Sequence, residues 1–130
     1  MHMPSLLAGA AVFALFATPV LSAEYLGGAV KSVDIGGQMV LTGANDMTLY
    51  IFDKDSAGVS NCYDDCAAKW PPLFADDGAT PEGEFTLVER TDGTNMWAYK
   101  GMPLYFWVDD QAPGDITGDG VGGVWHLAIE

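Results

Sequence analysis

Apolar and polar residues alternate over short runs along residues 24–130 of this chain, and glycine-rich segments separate the runs. Alternation with a period of two is typical of β-strands that bury one face. The pattern predicts seven strands, at 29–35, 38–42, 48–52, 85–90, 96–99, 104–108 and 124–129. Gly36-Gly37 and Lys100-Gly101 stand where tight hairpin turns would join neighbouring strands. We therefore predict a mainly β fold.

This pattern occurs twice, because residues 49–55 return as residues 104–110 without a gap, at an offset of 55. The matched positions are mostly aromatic or acidic: Tyr50, Phe52, Asp55 and Trp70 in the first copy, and Tyr105, Trp107, Asp110 and Trp125 in the second. Matched spacing over such a length indicates a unit that is built twice. The predicted units are about 39–75 and 94–130, two pseudo-symmetric hairpin-containing repeats of one small domain.

Residues 1–23 have the features of a secretory signal peptide, with an apolar stretch from Leu6 to Leu21 and small residues at Ser22 and Ala23. Cleavage is expected after Ser22 or Ala23, which leaves 24–130 as a single secreted β domain. No other segment is long and apolar enough to suggest a membrane span. The expected location is therefore the periplasm or the medium.

Cys62 and Cys66 are the only cysteines, four residues apart in a segment that favours one short helix. Ser60 is a good N-cap residue for that helix, and Lys69 suits its last turn. Helical neighbours at this spacing lie within reach of a disulfide, and an exported chain meets oxidising conditions. A disulfide is the leading prediction. A reactive dithiol or a thiolate metal site is the alternative, although zinc would need two further ligands.

The aromatic pairs of the two repeats, Tyr50 with Phe52 and Tyr105 with Trp107, would each lie on one face of a strand. Two such pairs could form one core, or they could form a surface on which a ligand stacks. The aspartate that follows each pair could accept backbone N–H groups two or three residues further on, as in an Asx turn.

The formal net charge is −13, and the five basic residues are scattered along the chain. Nucleic acid is therefore excluded as a partner, since phosphate binding requires a basic face. The charge is compatible with a cationic partner or a metal ion, and also with a role in solubility alone. Catalysis is not expected, because residues 24–130 contain one histidine and no recognisable set of nucleophile, base and orienting group.

Two metal sites are conceivable, although the simplest expectation is that the chain has no cofactor. Carboxylates suited to calcium occur in two loops: Asp53, Asp55 and Asp64 in the first, and Asp110, Asp115 and Asp119 in the second. The first loop, with Gly58 and Asn61, has the spacing of an EF-hand but lacks its oxygen ligand at Ala57 and its final glutamate. Soft ligands suited to copper(I) are Met47, Met102 and His126. Methionines that fill gaps in a core explain the same residues.

The repeated Tyr-x-aromatic-x-x-Asp motif resembles a family of bacterial secreted repeats that are described as predicted lipoproteins. Further segments share the resemblance: Asn61-Cys62 to Cys66, Trp70-Pro71-Pro72, 97–101, 113–115, 118–120 and 123–126. The resemblance covers nearly all of 41–128 and implies no established biochemical function. No cysteine follows the leader, so no lipid anchor is expected here.

These observations together predict a secreted, non-catalytic binding or envelope-associated module. Its partner would be an unknown small molecule, a metal ion or an envelope protein. A periplasmic metal-binding protein is the second interpretation, and an enzyme of unknown chemistry is the third.

Overall fold

The computed structural model describes residues 22–130, so the predicted signal peptide lies almost wholly outside the described residues. Within residues 22–130, eight strands and one α-helix follow one another. The strands are β1 (Ser22–Tyr25), β2 (Val30–Ile35), β3 (Gln38–Gly43), β4 (Tyr50–Phe52), β5 (Phe85–Glu89), β6 (Asn95–Tyr99), β7 (Met102–Pro103) and β8 (Trp125–Leu127). The helix α1 (Asp65–Lys69) separates β4 from β5, and the fold is mainly β as predicted.

The strands form two three-stranded antiparallel sheets, β1-β2-β3 and β5-β6-β7, and one two-stranded sheet, β4-β8. The β2–β3 hairpin pairs Val30 with Gly43 and Ile35 with Gln38. Its turn is formed by Gly36 and Gly37 at φ 62° and 91°, a conformation that glycine adopts without strain. The carboxylate of Asp34 accepts the amide of Gly37 at 2.9 Å and so fixes the turn. This hairpin matches the sequence prediction.

Most strand boundaries shift by one or two residues from the prediction, and two differences are larger. β1 begins at Ser22 and pairs with β2, so the predicted cleavage points lie inside a strand. The predicted strand 104–108 is reduced to bridges at Tyr105, which pairs with Tyr50 on one side and with Pro72 on the other. The amide of Phe106 donates to the carbonyl of Pro71, but a proline offers no N–H in return. The pair of Pro71 and Phe106 is therefore incomplete, although Leu73 donates to Leu104 at 2.9 Å on the other side of the bridge, and the ladder is interrupted beyond Tyr105.

The short helix is present, but its start differs from the one that Ser60 predicted. The helix begins at Asp65, after Asp64 with the unusual backbone angles φ 55° and ψ −122°, so Cys66 lies in the helix and Cys62 precedes it. Ser60 does not cap the helix, because its buried hydroxyl contacts Tyr105 and Arg90 instead. The disulfide between Cys62 and Cys66 is formed, with 5.2 Å between the Cα atoms.

Each half of the domain contains a closed cycle of three backbone hydrogen bonds. In one half, Leu41 donates to Ala128, Ala128 donates to Leu49 and Leu49 donates to Leu41, each at 2.9 Å. In the other half, Trp97, Leu73 and Leu104 form the same cycle in the same order. Both cycles lie in one buried cluster, and a second buried cluster contains the motif tyrosines and Trp70 and Trp125. The pseudo-symmetry predicted from the repeat is therefore present in the core.

Candidate functional site

Each motif tyrosine is hydrogen-bonded to the motif aspartate of the other repeat. The hydroxyl of Tyr50 donates to Asp110 at 2.6 Å, and the hydroxyl of Tyr105 donates to Asp55 at 2.7 Å. Both tyrosines have no exposed surface, and both aspartates are more than nine-tenths buried. The sequence predicted the motif but not the exchange of partners between the repeats.

The second carboxylate oxygen of each aspartate holds the loop that follows it. Asp55 accepts the amide of Asn61 at 2.6 Å, and Asp110 accepts both the amide and the hydroxyl of Thr117, at 2.9 and 2.6 Å. These partners lie six and seven residues further on, so the expected Asx turns of two or three residues are wrong. Each aspartate instead closes a longer loop, because its side chain points inward to reach a tyrosine.

A buried arginine distinguishes the first site from the second. Arg90 donates to the hydroxyl of Ser60 and to the carbonyl of Cys62, each at 2.8 Å, and its guanidinium lies 4.1 Å from the ring centre of Tyr63. The hydroxyls of Ser60 and Tyr105 lie 2.6 Å apart. Because Tyr105 donates its single hydroxyl proton to Asp55, Ser60 is the donor in this second bond. At the other tyrosine, the amide of Gly118 takes the place of this serine. Nothing in the sequence singled out Arg90.

These surroundings change the ionisation of the buried groups. Burial, reinforced by the hydrogen bond to Asp110, raises the pKa of Tyr50 well above its ordinary value. Burial also raises the pKa of Tyr105, against the hydrogen bond that Ser60 donates. Burial raises the pKa of Asp55, while the hydrogen bond from Tyr105 opposes the shift. The two tyrosines are therefore held in the neutral form.

Four aromatic rings form a continuous stack beside these pairs. The rings follow the order Phe52, Trp125, Trp70 and Trp107, with centroid separations of 4.2, 3.8 and 4.0 Å. The tryptophan that ends each repeat therefore stacks on the motif aromatic of the other repeat. Tyr50 and Tyr105 meet this stack edge-on, at 5.3 and 5.2 Å. Tyr50, Phe52 and Tyr105 are buried core residues, and Trp107 is partly buried at the end of the stack.

The structure does not bring the proposed calcium ligands together. Asp53 contacts His126 at 2.7 Å, Asp55 is occupied by Tyr105 and Asn61, and Asp64 lies exposed at the start of α1. In the second loop, Asp115 accepts the amides of two loop residues and Asp119 accepts the amide of Leu127. Between residues 22 and 130, no three His, Cys, Asp or Glu side chains cluster closely enough to hold a metal ion.

The proposed copper ligands lie in three different elements. Met47 precedes β4, Met102 lies in β7 and His126 lies in β8, where its ring nitrogen contacts Asp53. Met102 lines a small cavity of about 190 Å³ with Ile51 and Ile129. Neither Met47 nor His126 lines that cavity.

A larger cavity, of about 520 Å³, lies between the end of β1, the start of β5 and the loop residues that immediately precede β5. Its aromatic residues are Tyr25, Phe85 and Tyr99, whose rings form a row with centroids 5.3 and 5.0 Å apart. Phe85 is buried at the centre, and the two tyrosines are half-buried on either side. Three exposed glutamates complete the lining, together with Leu26 and two glycines: Glu24, Glu82 and Glu84. We call this cavity the aromatic cleft.

The backbone beside the aromatic cleft is unusual. Leu26 adopts a φ of 56°, which is rare for a residue with a side chain, and Gly27 follows at 66°. Strained backbone of this kind is found at tight turns and at functional sites, where the surrounding structure compensates for its cost. None of the cleft residues was named as a site by the sequence, because an aromatic in a strand gives no sign of facing a cavity.

The fold and these contacts define a class of protein, a disulfide-bearing β domain made of two interlocked repeats. Residues 35–79 and 86–129 each match the model of a family described as a secreted repeat of unknown function. The chain belongs to this family, and the resemblance inferred from the motif is confirmed. Neither the curated proteins nor the solved structures include a match to this chain. Among the helices of residues 22–130, none has the length and apolar character needed to cross a membrane.

Proposed function

We propose that this protein is a secreted, non-catalytic binding module that takes an organic ammonium group in its aromatic cleft. The observation that carries the proposal is a row of three aromatic rings inside a cavity edged by three glutamates. Aromatic faces attract cations, and a positively charged ligand with apolar substituents gains from both the rings and the carboxylates. The cavity volume falls within the range of small-molecule sites.

The charge of the chain supports a cationic ligand. With a formal net charge of −13, the protein attracts cations to its surface, and the three cleft glutamates concentrate that effect at the cavity. No trio of acidic or histidine side chains within 22–130 converges on one point. Carboxylates that surround a cavity without converging suit a bulky cation better than a bare metal ion, which requires closely packed oxygens.

Lys100 provides an internal example of the proposed interaction. Its ammonium group lies 5.2 Å from the ring centre of Tyr99. The ring of Tyr99 therefore already has a cation near one side, and Lys100 would repel a second cation that approaches the same ring. Removing this lysine should strengthen ligand binding, whereas removing the ring should weaken it.

The non-catalytic part of the proposal rests on the enclosure of the tyrosine–aspartate pairs. Their carboxylates and hydroxyls are occupied by one another and by loop amides, and all four residues lie in the core. A group that catalyses a reaction must lie within hydrogen-bond reach of the substrate. The motif thus serves to hold the repeats together, and the binding surface lies elsewhere.

Calorimetric titration tests this proposal with choline as the probe and 3,3-dimethylbutanol as its neutral counterpart of the same shape. The protein should be the exported, processed chain, because the predicted cleavage points in β1 lie next to Glu24 and Tyr25. Choline should bind at least tenfold more tightly than the neutral alcohol. Equal binding of the two, or no choline binding, would contradict the proposal.

Variants locate the binding in the cleft. Tyr99→Leu should weaken choline binding about fivefold to thirtyfold, as expected for the loss of about 1–2 kcal/mol of cation–π energy. Lys100→Met should tighten it. Phe74→Leu is the matched control, since Phe74 is an exposed aromatic residue outside the cleft and its loss should leave choline affinity unchanged. If Phe74→Leu weakened choline binding as much as Tyr99→Leu does, choline would bind outside the cleft.

Metal binding is the second candidate, because one specific contact favours it. His126 and Asp53 approach to 2.7 Å at positions where both side chains are about half exposed. An imidazole and a carboxylate are ligands that zinc or copper accepts, and this pair would bind a metal by giving up its mutual hydrogen bond, with the remaining positions filled by water. Elemental analysis of the exported protein after dialysis against each metal tests it. Stoichiometric metal that is lost in His126→Gln would support this candidate, and no retained metal would remove it.

A further inference from the structure

We propose that two copies of this chain can exchange repeats, so that each folded half contains the first repeat of one chain and the second repeat of the other. The proposal does not depend on the aromatic cleft or its ligand. It rests on the contacts between the repeats and on the segment that joins them.

The contacts that complete each repeat come from the other repeat. The hydroxyl of Tyr50 reaches Asp110, and β4 pairs with β8. Trp70 stacks on Trp107 at 4.0 Å, although Trp70 belongs to the first repeat and Trp107 to the second. None of these contacts depends on the covalent link between the repeats. A second chain can supply the same residues in the same geometry, which is the condition for domain swapping.

One segment joins the repeats, and it is suited to act as a hinge. Residues 76–84 cover the last four residues of the first family match, which ends at 79, and most of the gap before the second match begins at 86, and eight of the nine residues are exposed. Gly78 and Gly83 adopt φ values of 82° and 58°. Four of the nine residues are acidic, and like charges along a linker favour its extension. Opening the hinge therefore breaks few contacts.

Concentration decides which form is populated. A flexible linker holds the two repeats of one chain at an effective concentration on the order of millimolar, so the closed monomer prevails in dilute solution. Exchange requires that chains fold together at high concentration, or that the hinge be too short to close. Both conditions can be imposed on the full-length chain.

A cysteine pair detects the exchange directly. Ile51 and His126 are opposite each other in the β4–β8 pairing, at a spacing that a disulfide can bridge. One chain carries Ile51→Cys and the other carries His126→Cys. The two are unfolded, mixed and refolded at increasing concentration in a mild oxidant, and covalent heterodimer is measured on a non-reducing gel. Ile51→Cys mixed with Thr86→Cys is the control, because Thr86 is exposed on β5 and pairs with Ala98.

We expect heterodimer that increases with concentration and exceeds the control pair at least fivefold. A yield no higher than that of the control at every concentration would overturn the proposal. The native cysteines act equally in both mixtures, so they do not affect the comparison.

Shortening the hinge gives a second measurement. Deletion of residues 76–82 leaves two hinge residues, which span about 10 Å between Ala75 and Phe85. The amide of Ala75 donates to the carbonyl of Asn95, and Phe85 pairs with Tyr99. Asn95 and Tyr99 are about 13 Å apart along β6, which is farther than two residues can span. The shortened chain cannot close on itself and should elute as a folded dimer in light-scattering chromatography. A folded monomer would overturn the proposal, and if the deletion prevents folding, the cysteine experiment decides.

Discussion

Tyr50 and Tyr105 exchange both of their backbone hydrogen bonds, with the amide of each donating to the carbonyl of the other at 2.8 and 3.0 Å. Two equivalent residues that pair with each other must lie on either side of the pseudo-twofold axis that relates the repeats, which passes between them. Side chains of directly paired residues project from the same face of the ladder, and each tyrosine hydroxyl reaches the aspartate of the opposite repeat. This single pairing explains why the motif partners are exchanged.

Removal of either tyrosine hydroxyl should destabilise the protein. Tyr50→Phe and Tyr105→Phe each deprive a buried carboxylate of one hydrogen bond, at a cost of about 2–3 kcal/mol. Truncation of either residue to alanine should cost about 3–5 kcal/mol, because a large cavity is added. Urea denaturation at pH 7 measures these changes. Tyr63→Phe is the control, since its hydroxyl accepts one exposed amide, from Thr91, and its loss should cost no more than about 1 kcal/mol.

The motif tyrosines should make the protein sensitive to alkali. The pKa of Tyr50 and the pKa of Tyr105 are both raised by burial in the folded state, whereas the unfolded chain ionises near pH 10. The unfolded state therefore loses protons first, and stability falls as the pH rises above about 10. Each tyrosine should contribute about 0.7 kcal/mol of loss per pH unit at pH 10, rising toward about 1.4 kcal/mol per pH unit above pH 11.

Urea denaturation between pH 9 and 11 tests this, with the single phenylalanine variants as comparison. Each variant should show a slope that is smaller than that of the unchanged chain by about 0.7 kcal/mol per pH unit at pH 10, and the difference should approach about 1.4 kcal/mol per pH unit by pH 11. Identical slopes in the variants would mean that these tyrosines ionise in the folded state.

Gly118 lies so close to two aromatic rings that alanine should not fit. A Cβ atom at this position would approach Trp70 at 2.8 Å and Tyr50 at 2.9 Å, nearer than side chains tolerate. Gly118→Ala should therefore cost about 1–3 kcal/mol, measured as a lower Tm. Gln111→Ala, an exposed change in the same loop, should leave Tm within about one degree, as surface changes usually do. Equal Tm values for the two variants would show that the rings can move aside.

The disulfide should contribute modestly to stability. Cys62→Ala with Cys66→Ala opens a loop of about five residues, which corresponds to about 2 kcal/mol in the chain-entropy model. The second repeat forms the equivalent aspartate–tyrosine bond without a cystine, so the folded structure should persist. Thermal unfolding of the double variant should match that of the unchanged protein under reducing conditions. Complete unfolding of the variant at room temperature would contradict this.

The sequence was sufficient to predict the mainly β fold, the two repeats, the disulfide and the first hairpin, because each depends on local spacing or on an exact internal match. Gly36-Gly37 predicted a turn that needs positive φ, and the structure has it there. The exchange of motif partners was not predictable. The offset of 55 residues between the repeats is the same whether each tyrosine pairs with the aspartate of its own repeat or with that of the other repeat.

The contacts of Ser60 and Arg90 beside Tyr105 could not be predicted for a related reason. Ser60 precedes a helical segment, so its local sequence indicates an N-cap. In the fold its hydroxyl instead makes a long-range contact with Tyr105. Arg90 follows a strand and has the sequence context of a surface residue, yet it is 4% exposed. Likewise, the cleft combines Tyr25, Phe85 and Tyr99 from three separate segments, whose proximity depends on the pairing of strands rather than on spacing.

The aromatic stack gives the protein an optical property that reports on its assembly. Trp70 and Trp125 lie 3.8 Å apart with their planes within 3° of parallel, and Trp107 lies 4.0 Å beyond Trp70. Indole transitions at this separation couple strongly, so the folded chain should show an exciton couplet in its circular dichroism spectrum. Because the coupled rings belong to different repeats, the couplet is a label-free signal for the docking of one repeat on the other.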